Sequence, residues 1–189
     1  MQFIALSLSA LLGLVATIAT VSIDPAASNV HWKGYKVTGA HEGDINIKSG
    51  SLTFDGDQLT GGQFVIDMGT ITVTDLTGEY ADKLKGHLAS DDFFGVASHP
   101  EAKLVITKVK PGKAGKYAVT GDLTIKETTK PITFDATVYQ VDGKRIATAD
   151  ITIDRSKYDV RYGSGSFFDN LGDKTIYDDF DLNVKLVSK

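Results

Sequence analysis

The feature that most restricts this chain is a two-residue alternation of apolar and polar side chains, repeated in segment after segment from Val30 onward. In Tyr117-Ala-Val-Thr-Gly-Asp-Leu-Thr-Ile125 the odd positions are Tyr, Val, Gly, Leu and Ile, and in 132–138 and 180–186 the even positions are apolar. Successive side chains of a strand point to opposite faces, so each segment has one apolar and one polar face, as antiparallel sheets do. Turn chemistry at Asp55-Gly56-Asp57, Gly61-Gly62, Pro111-Gly112, Lys130-Pro131 and Asp142-Gly143 separates the segments. The last three marks leave strands of roughly 8–11 residues, longer than the usual five or six. Long consecutive hairpins favour an all-β, antiparallel up-and-down barrel of about eight strands, which has no exposed edge. A two-sheet sandwich is the alternative.

Two segments depart from this period. Tyr80, Leu84 and Leu88, with Glu79, Asp82, Lys83 and Lys85 between them, have helical spacing and predict one short helix over 78–86. The stretch 154–178, with Gly163, Gly165, Gly172, Phe167 and Phe168, predicts a long loop with at most one helical turn. The N-terminus is a separate object. No charged side chain occurs from Met1 to Ile23, and residues 3–19 are almost wholly apolar. That is the pattern of a secretory signal peptide, and the small residues Thr17 and Ala19 place the cut after Ala19. The expected division is a signal peptide at 1–19 and one barrel domain at 20–189, with a periplasmic or secreted location and no stable membrane insertion after cleavage.

The chemistry-bearing motifs are mostly absent. With no Cys, disulfides, thiolate metal sites and Cys nucleophiles are excluded. Lys plus Arg is 20 against 24 Asp plus Glu, and no basic run occurs, so a nucleic-acid partner is not expected. His31, His41, His87 and His99 form no metal motif, although His31 and His41 fit neighbouring strands. Gly163-Ser164-Gly165-Ser166 is not a nucleophile elbow, because no strand runs through it into a helix. Asp91-Asp92 and Asp178-Asp179 are adjacent residues, which point opposite ways on an extended chain. No catalytic residue, cofactor or metal is expected. What remains is apolar volume: an eight-stranded barrel is either just filled by side chains or holds one small ligand. The small inward residues Gly121 and Ala136 suit either case, so the pattern leaves both open.

Several stretches resemble the YceI-like family of lipid-binding proteins, in the form common in Bacteroidetes-type bacteria. They are Asp24-Pro25-Ala26-Ala27-Ser28-Asn29-Val30-His31-Trp32, Ser49-Gly50-Ser51-Leu52-Thr53-Phe54, residues 59–68, and Gly86-His87-Leu88-Ala89-Ser90-Asp91-Asp92-Phe93-Phe94. Thr120–Lys126 followed by Thr129-Lys130-Pro131-Ile132, then Asp154-Arg155-Ser156-Lys157-Tyr158 and residues 163–172, complete the match. The resemblance implies a lipocalin-like barrel whose elongated apolar pocket holds a polyisoprenoid or similar long-chain lipid, bound without chemistry. The expected lining is Trp32, Tyr35, Phe64, Ile66, Met68, Phe93, Phe94, Leu123, Phe134 and Phe168. The polar end is expected at Lys36, His41 and Arg155. An enzyme acting on a bound lipid, or an interaction module with a filled barrel, are the alternatives. A monomer and a homodimer are both open.

Overall fold

The computed structural model describes residues 17–189; most of the expected signal peptide lies outside the described residues. The alternating segments form nine strands: β1 (Ile18–Ser22), β2 (Asn29–Lys36), β3 (Gly39–Asp55), β4 (Gln58–Asp67), β5 (Glu101–Pro111), β6 (Lys116–Ile125), β7 (Thr128–Val141), β8 (Lys144–Asp154) and β9 (Ile176–Val187). From β2 onward each strand pairs antiparallel with the next, and β9 closes back on β2, with Trp32 opposite Leu182. This is a closed eight-stranded up-and-down barrel, and the sandwich is excluded. The extra strand β1 lies along the second half of β3, from Ile18 opposite Asp55 to Ser22 opposite Ser51. It occupies the edge that β2 leaves after Ile45.

Side-chain parity follows the sequence. On β6, Tyr117, Val119, Gly121, Leu123 and Ile125 are all buried, with more exposed residues between them. Two of the expected turns are strand interior instead. Gly61-Gly62 lies within β4, where a register shift between Thr53 and Phe54 of the partner strand marks a bulge. Lys130-Pro131 lies within β7, because the turn falls earlier, at Lys126-Glu127, where Lys126 takes φ 54°. Pro131 sits opposite Asp122, two pairs beyond the two Thr whose hydroxyls meet at 2.8 Å. Parity from the hairpin turn directs its missing N–H away from β6, and β8 joins β7 only from Ala136 onward, so no ladder bond is lost.

The helix α1 (Glu79–Ala89) runs three residues past its expected end. Gly86 does not stop it. Termination comes at Ser90, whose N–H and hydroxyl both donate to the His87 carbonyl. Glu79 and Asp82 suit the N-terminal end of the helix dipole, and Lys83 pairs with Glu79 one turn back. The 155–175 connection holds two 3-10 turns, Arg155–Tyr158 and Gly172–Lys174, where at most one was expected. Helix and connection sit at the same end of the barrel as the β2–β3 and β6–β7 turns. At the other end lie the turns after Asp55, Pro111 and Val141.

Candidate ligand cavity

The barrel interior is not filled. It holds a cavity of about 250 Å³ whose walls are almost entirely apolar side chains. On β9 the lining runs from Ile176 to Leu186. At ~3.3 Å per residue and a strand tilt of ~40°, that wall extends about 25 Å along the barrel axis. The space is therefore long and narrow. Part of the room comes from alanines: Ala136 faces Ala149 across the β7–β8 pair, Ala147 is nearby, and all three line the cavity. Gly121 is not part of the lining. A Cβ there would meet Leu104 Cδ1 and the Val105 carbonyl oxygen, each at 2.9 Å, so this glycine lets β5 approach β6 closely.

The end carrying the 56–57 turn is closed. Phe54 is 1% exposed, and the Arg145 guanidinium lies 3.8 Å from its ring centroid. Arg145 is held there by the Gly56 carbonyl and Asp57. Buried Tyr117 adds its hydroxyl, which accepts from the Leu59 N–H at 3.5 Å. The opposite end is the mouth, where Tyr35, Lys36, Leu84 of α1 and Tyr177 all reach the lining.

Among the residues expected to line a pocket, Trp32, Phe64, Ile66, Leu123 and Phe134 stand on the cavity wall along the strands, and Met68 lines it from the 3-10 turn that follows β4. Phe93 and Phe94 reach it from the turn after α1. Tyr35 borders it at the mouth while its hydroxyl donates to Asp181 at 2.7 Å; Asp181 also accepts from Thr152, and these contacts hold its carboxyl below the usual carboxylate range. Phe168 lies apart from the others. It is 51% exposed and outside the lining, because the Ser164 carbonyl accepts from the Phe167 and Phe168 N–H groups in a tight surface turn.

The three residues expected at a polar end all border the cavity at its mouth. His41 Nδ1 lies 2.8 Å from Asp75 Oδ2. Burial works to raise the Asp75 carboxyl, but the Glu42 N–H and His41 outweigh it and hold it below its ordinary value. His31 has its own carboxylate, Asp44, at 3.0 Å, so the two histidines on neighbouring strands do not share a site. Arg155 is 3% exposed. Its guanidinium donates to the carbonyls of Tyr177, Val160 and Ile176 and lies 3.6 Å from Asp178. Burial pushes it below the ordinary guanidinium value, which Asp178 and Asp154 partly offset. Its donors are spent on pinning the 155–160 turn to the start of β9.

Sequence reasoning missed the 70–74 wall. Thr72 and Thr74 donate backbone N–H groups to the Asp44 and Glu42 carbonyls, and the Thr70 and Thr72 hydroxyls accept from Asn46 and Asp44. Ile71 is thereby turned into the cavity, and the Thr72 carbonyl accepts from Trp32 Nε1 at 3.1 Å. The available signal was the alternation Thr70-Ile-Thr-Val-Thr74. Among the described residues, no cluster of three or more His, Cys, Asp or Glu could hold a metal, and no helix is long and apolar enough to cross a membrane.

An eight-stranded antiparallel barrel, closed at one end around an elongated apolar cavity, defines a lipocalin-like barrel protein. The chain belongs to the YceI-like family: the family model described as "YceI-like domain" matches residues 22–188. A UPF0312 protein of Vibrio parahaemolyticus is 31% identical over 137 residues, covering 70% of this chain and 69% of that protein. One of Pseudomonas putida is 36% identical over 119 residues, and there the match spans 61% of this chain and only 58% of the relative's length. Among solved structures, Burkholderia cenocepacia BcnA is 24% identical with a TM-score of 0.72, covering 88% of this chain and 99% of that one. A polyisoprenoid binding domain from Saccharophagus degradans is 17% identical with a TM-score of 0.69, covering 92% and 99%. At these identities the likeness is one of fold.

Proposed function

We propose that this protein binds and carries a long apolar amphiphile, a polyisoprenoid or similar lipid, without transforming it. The observation that carries this reading is the long, narrow cavity with its apolar walls. Such a space takes one extended chain, and apolar ligands bind in pockets lined mainly by hydrophobic and aromatic side chains. The named ligand class of the Saccharophagus domain and the family resemblance support a polyisoprenoid. The titratable pairs support a reading without chemistry: His31–Asp44 is a pairing of the outer wall, and Tyr35–Asp181 and His41–Asp75 stand at the rim.

Trp32 is the single tryptophan of the chain and lines the cavity, so its emission reports occupancy. Purification from a bacterial host, organic extraction and mass spectrometry are expected to yield a long-chain lipid. Adding a polyprenyl alcohol to the stripped protein is expected to change Trp32 emission. A clean extract together with unchanged emission refutes the reading.

The same proposal places the protein in the periplasm or outside the cell. N-terminal sequencing of material from the native host is expected to begin near Thr20. Ile18 and Ala19 pair with Asp55 and Phe54, so this cut shortens β1 to Thr20–Ser22. Intact Met1 in a cytosolic fraction overturns export.

A further inference from the structure

The large apolar side chains that reach solvent are unevenly placed. Among the described residues ten are 40% or more exposed. Val37, Tyr80, Tyr162, Phe167, Phe168 and Tyr177 all belong to connections or element ends at the mouth. The other four, Ile18, Val105, Tyr139 and Val141, lie on β1, β5 and β7.

The rim residues belong to one connected structure. The Val37 N–H donates to the Thr175 carbonyl at 3.1 Å, which ties the β2–β3 turn to the start of β9. The Tyr162 ring meets His87 of α1 edge-on at 4.4 Å, which ties the 155–175 connection to the helix. Arg161 lies 5.0 Å from the centroid of Phe167. Tyr177 is half exposed and also lines the cavity, so apolar surface continues from the interior onto the rim.

Apolar side chains exposed singly are ordinary, but six gathered at one end, around the opening of an apolar cavity, point to that end as a docking surface. The cavity decides its occupant. Below the mouth the lining is apolar except for Thr148, which also borders a recess on the outer surface with Lys116 and Asp150, so an amphiphile keeps its polar end at the mouth. Such a molecule resides in a bilayer, not in water. Tyr and Phe rims suit the bilayer interface, where an amphipathic ring meets both phases. Some rim charges pair within the protein, as Lys83–Glu79, Lys157–Asp154 and Arg161–Asp159, and the rim lysines Lys36, Lys85, Lys126 and Lys174 share their end with Asp82, Asp91, Asp92, Glu127, Asp169 and Asp173, so no net positive field favours anionic lipids.

We propose that the open end of the barrel docks on a lipid bilayer, the exposed rim side chains entering the head-group layer, so that the apolar cargo passes between bilayer and cavity without crossing water. This rests on the reading of the barrel as a lipid carrier. The test uses the full protein and phosphatidylcholine vesicles in a flotation assay. Wild type is expected to bind, with little dependence on salt. Phe167→Ser/Phe168→Ser and Tyr80→Ser alter exposed positions and are expected to lower vesicle affinity about tenfold or more through lost apolar burial. Tyr139→Ser/Val141→Ser, on β7 near the closed end, is expected to bind as wild type. Trp32 emission with a polyprenyl alcohol supplied from cyclodextrin is expected to respond in all variants, while uptake from vesicles slows only in the rim variants. A wild type that takes up the alcohol from cyclodextrin but does not float overturns the docking and leaves the carrier reading standing. Absence of any Trp32 response overturns the carrier reading instead. A wild-type dimer that Phe167→Ser/Phe168→Ser dissociates assigns the rim to a second copy and overturns the bilayer.

Discussion

Phe134→Ala separates a cavity wall from a packed core. Phe134 lies mid-strand on β7, opposite Val119 of β6, between the exposed Thr133 and Asp135. Its ring borders the cavity, and β8 does not pair with β7 at this level. Truncating a buried Phe in a packed core costs about 3–5 kcal/mol, the sum of lost transfer energy and a new void. Here the void already exists, so the second contribution is small and only the face of the ring that touches its neighbours counts. The expected loss is about 1–2 kcal/mol. Phe54 is the internal control: it is 1% exposed and covered by Arg145, so Phe54→Ala is expected to show the full cost of about 3–5 kcal/mol. Urea unfolding of the lipid-stripped proteins measures both, because bound lipid would add its own mass-action stability. For Phe134→Ala, the response of Trp32 to a polyprenyl alcohol should change more than stability does. A loss of about 4 kcal/mol or more with an unaltered Trp32 response would refute the assignment of Phe134 to a cavity wall.

Three further perturbations probe the supports of the cavity. A Cβ on Gly43 would run into the carbonyl oxygen of Thr72, the acceptor of the Trp32 indole, so Gly43→Ala is expected to cost about 1–3 kcal/mol and to shift Trp32 emission; unchanged stability and spectrum refute this. Arg155→Lys cannot reproduce a fork that serves three carbonyls, and leaving buried partners unpaired is expected to cost about 3 kcal/mol in urea unfolding; a variant as stable as wild type refutes it. The folded pKa of Asp181 is depressed by the Thr152 and Tyr35 hydroxyls, so its stabilising effect is full above the unfolded value of about 3.9 and is lost as pH falls through the lower folded value. An acid titration followed by circular dichroism should therefore be flatter below about pH 4 for Asp181→Asn than for wild type, and superimposable curves refute the link.

The barrel was legible because parity is a local property. Each long strand carries its inward and outward faces in its own sequence, and Tyr117–Ile125 turns the odd positions inward as read. The turns were less legible, because Gly and Pro serve two purposes. Gly56 and Gly143, both at positive φ, mark real hairpin turns, whereas Gly61-Gly62 and Pro131 sit inside strands at a bulge and at a position without a ladder bond. Distinguishing the two uses requires knowing which neighbour lies on each edge, and that is a property of the closed sheet. Likewise Gly121 and Ala136 read alike in sequence. Only the assembled barrel shows that one admits a neighbouring strand and the other leaves space for a ligand.

The mouth was the least legible part, for a related reason. Phe93, Phe94, Phe167 and Phe168 are two aromatic pairs in irregular segments, and no period decides which way they face. Phe93 and Phe94 are directed inward because Ser90 ends α1 and its carbonyl accepts from the Phe93 and Gly95 N–H groups, folding the chain back over the opening. Phe167 and Phe168 are directed outward because Gly163, at φ 64° and bonded through its carbonyl to Ile176, fixes the turn from outside the barrel. The buried Arg155 fastens the preceding 155–160 turn to the first residues of β9. Arg155, expected from sequence at the polar end, borders the cavity and also holds the backbone of its mouth. Its loss would disorder the rim before it altered any direct contact with a ligand. The dimensions of the cavity are set by the strands, but access to it is set by these few backbone bonds at the mouth.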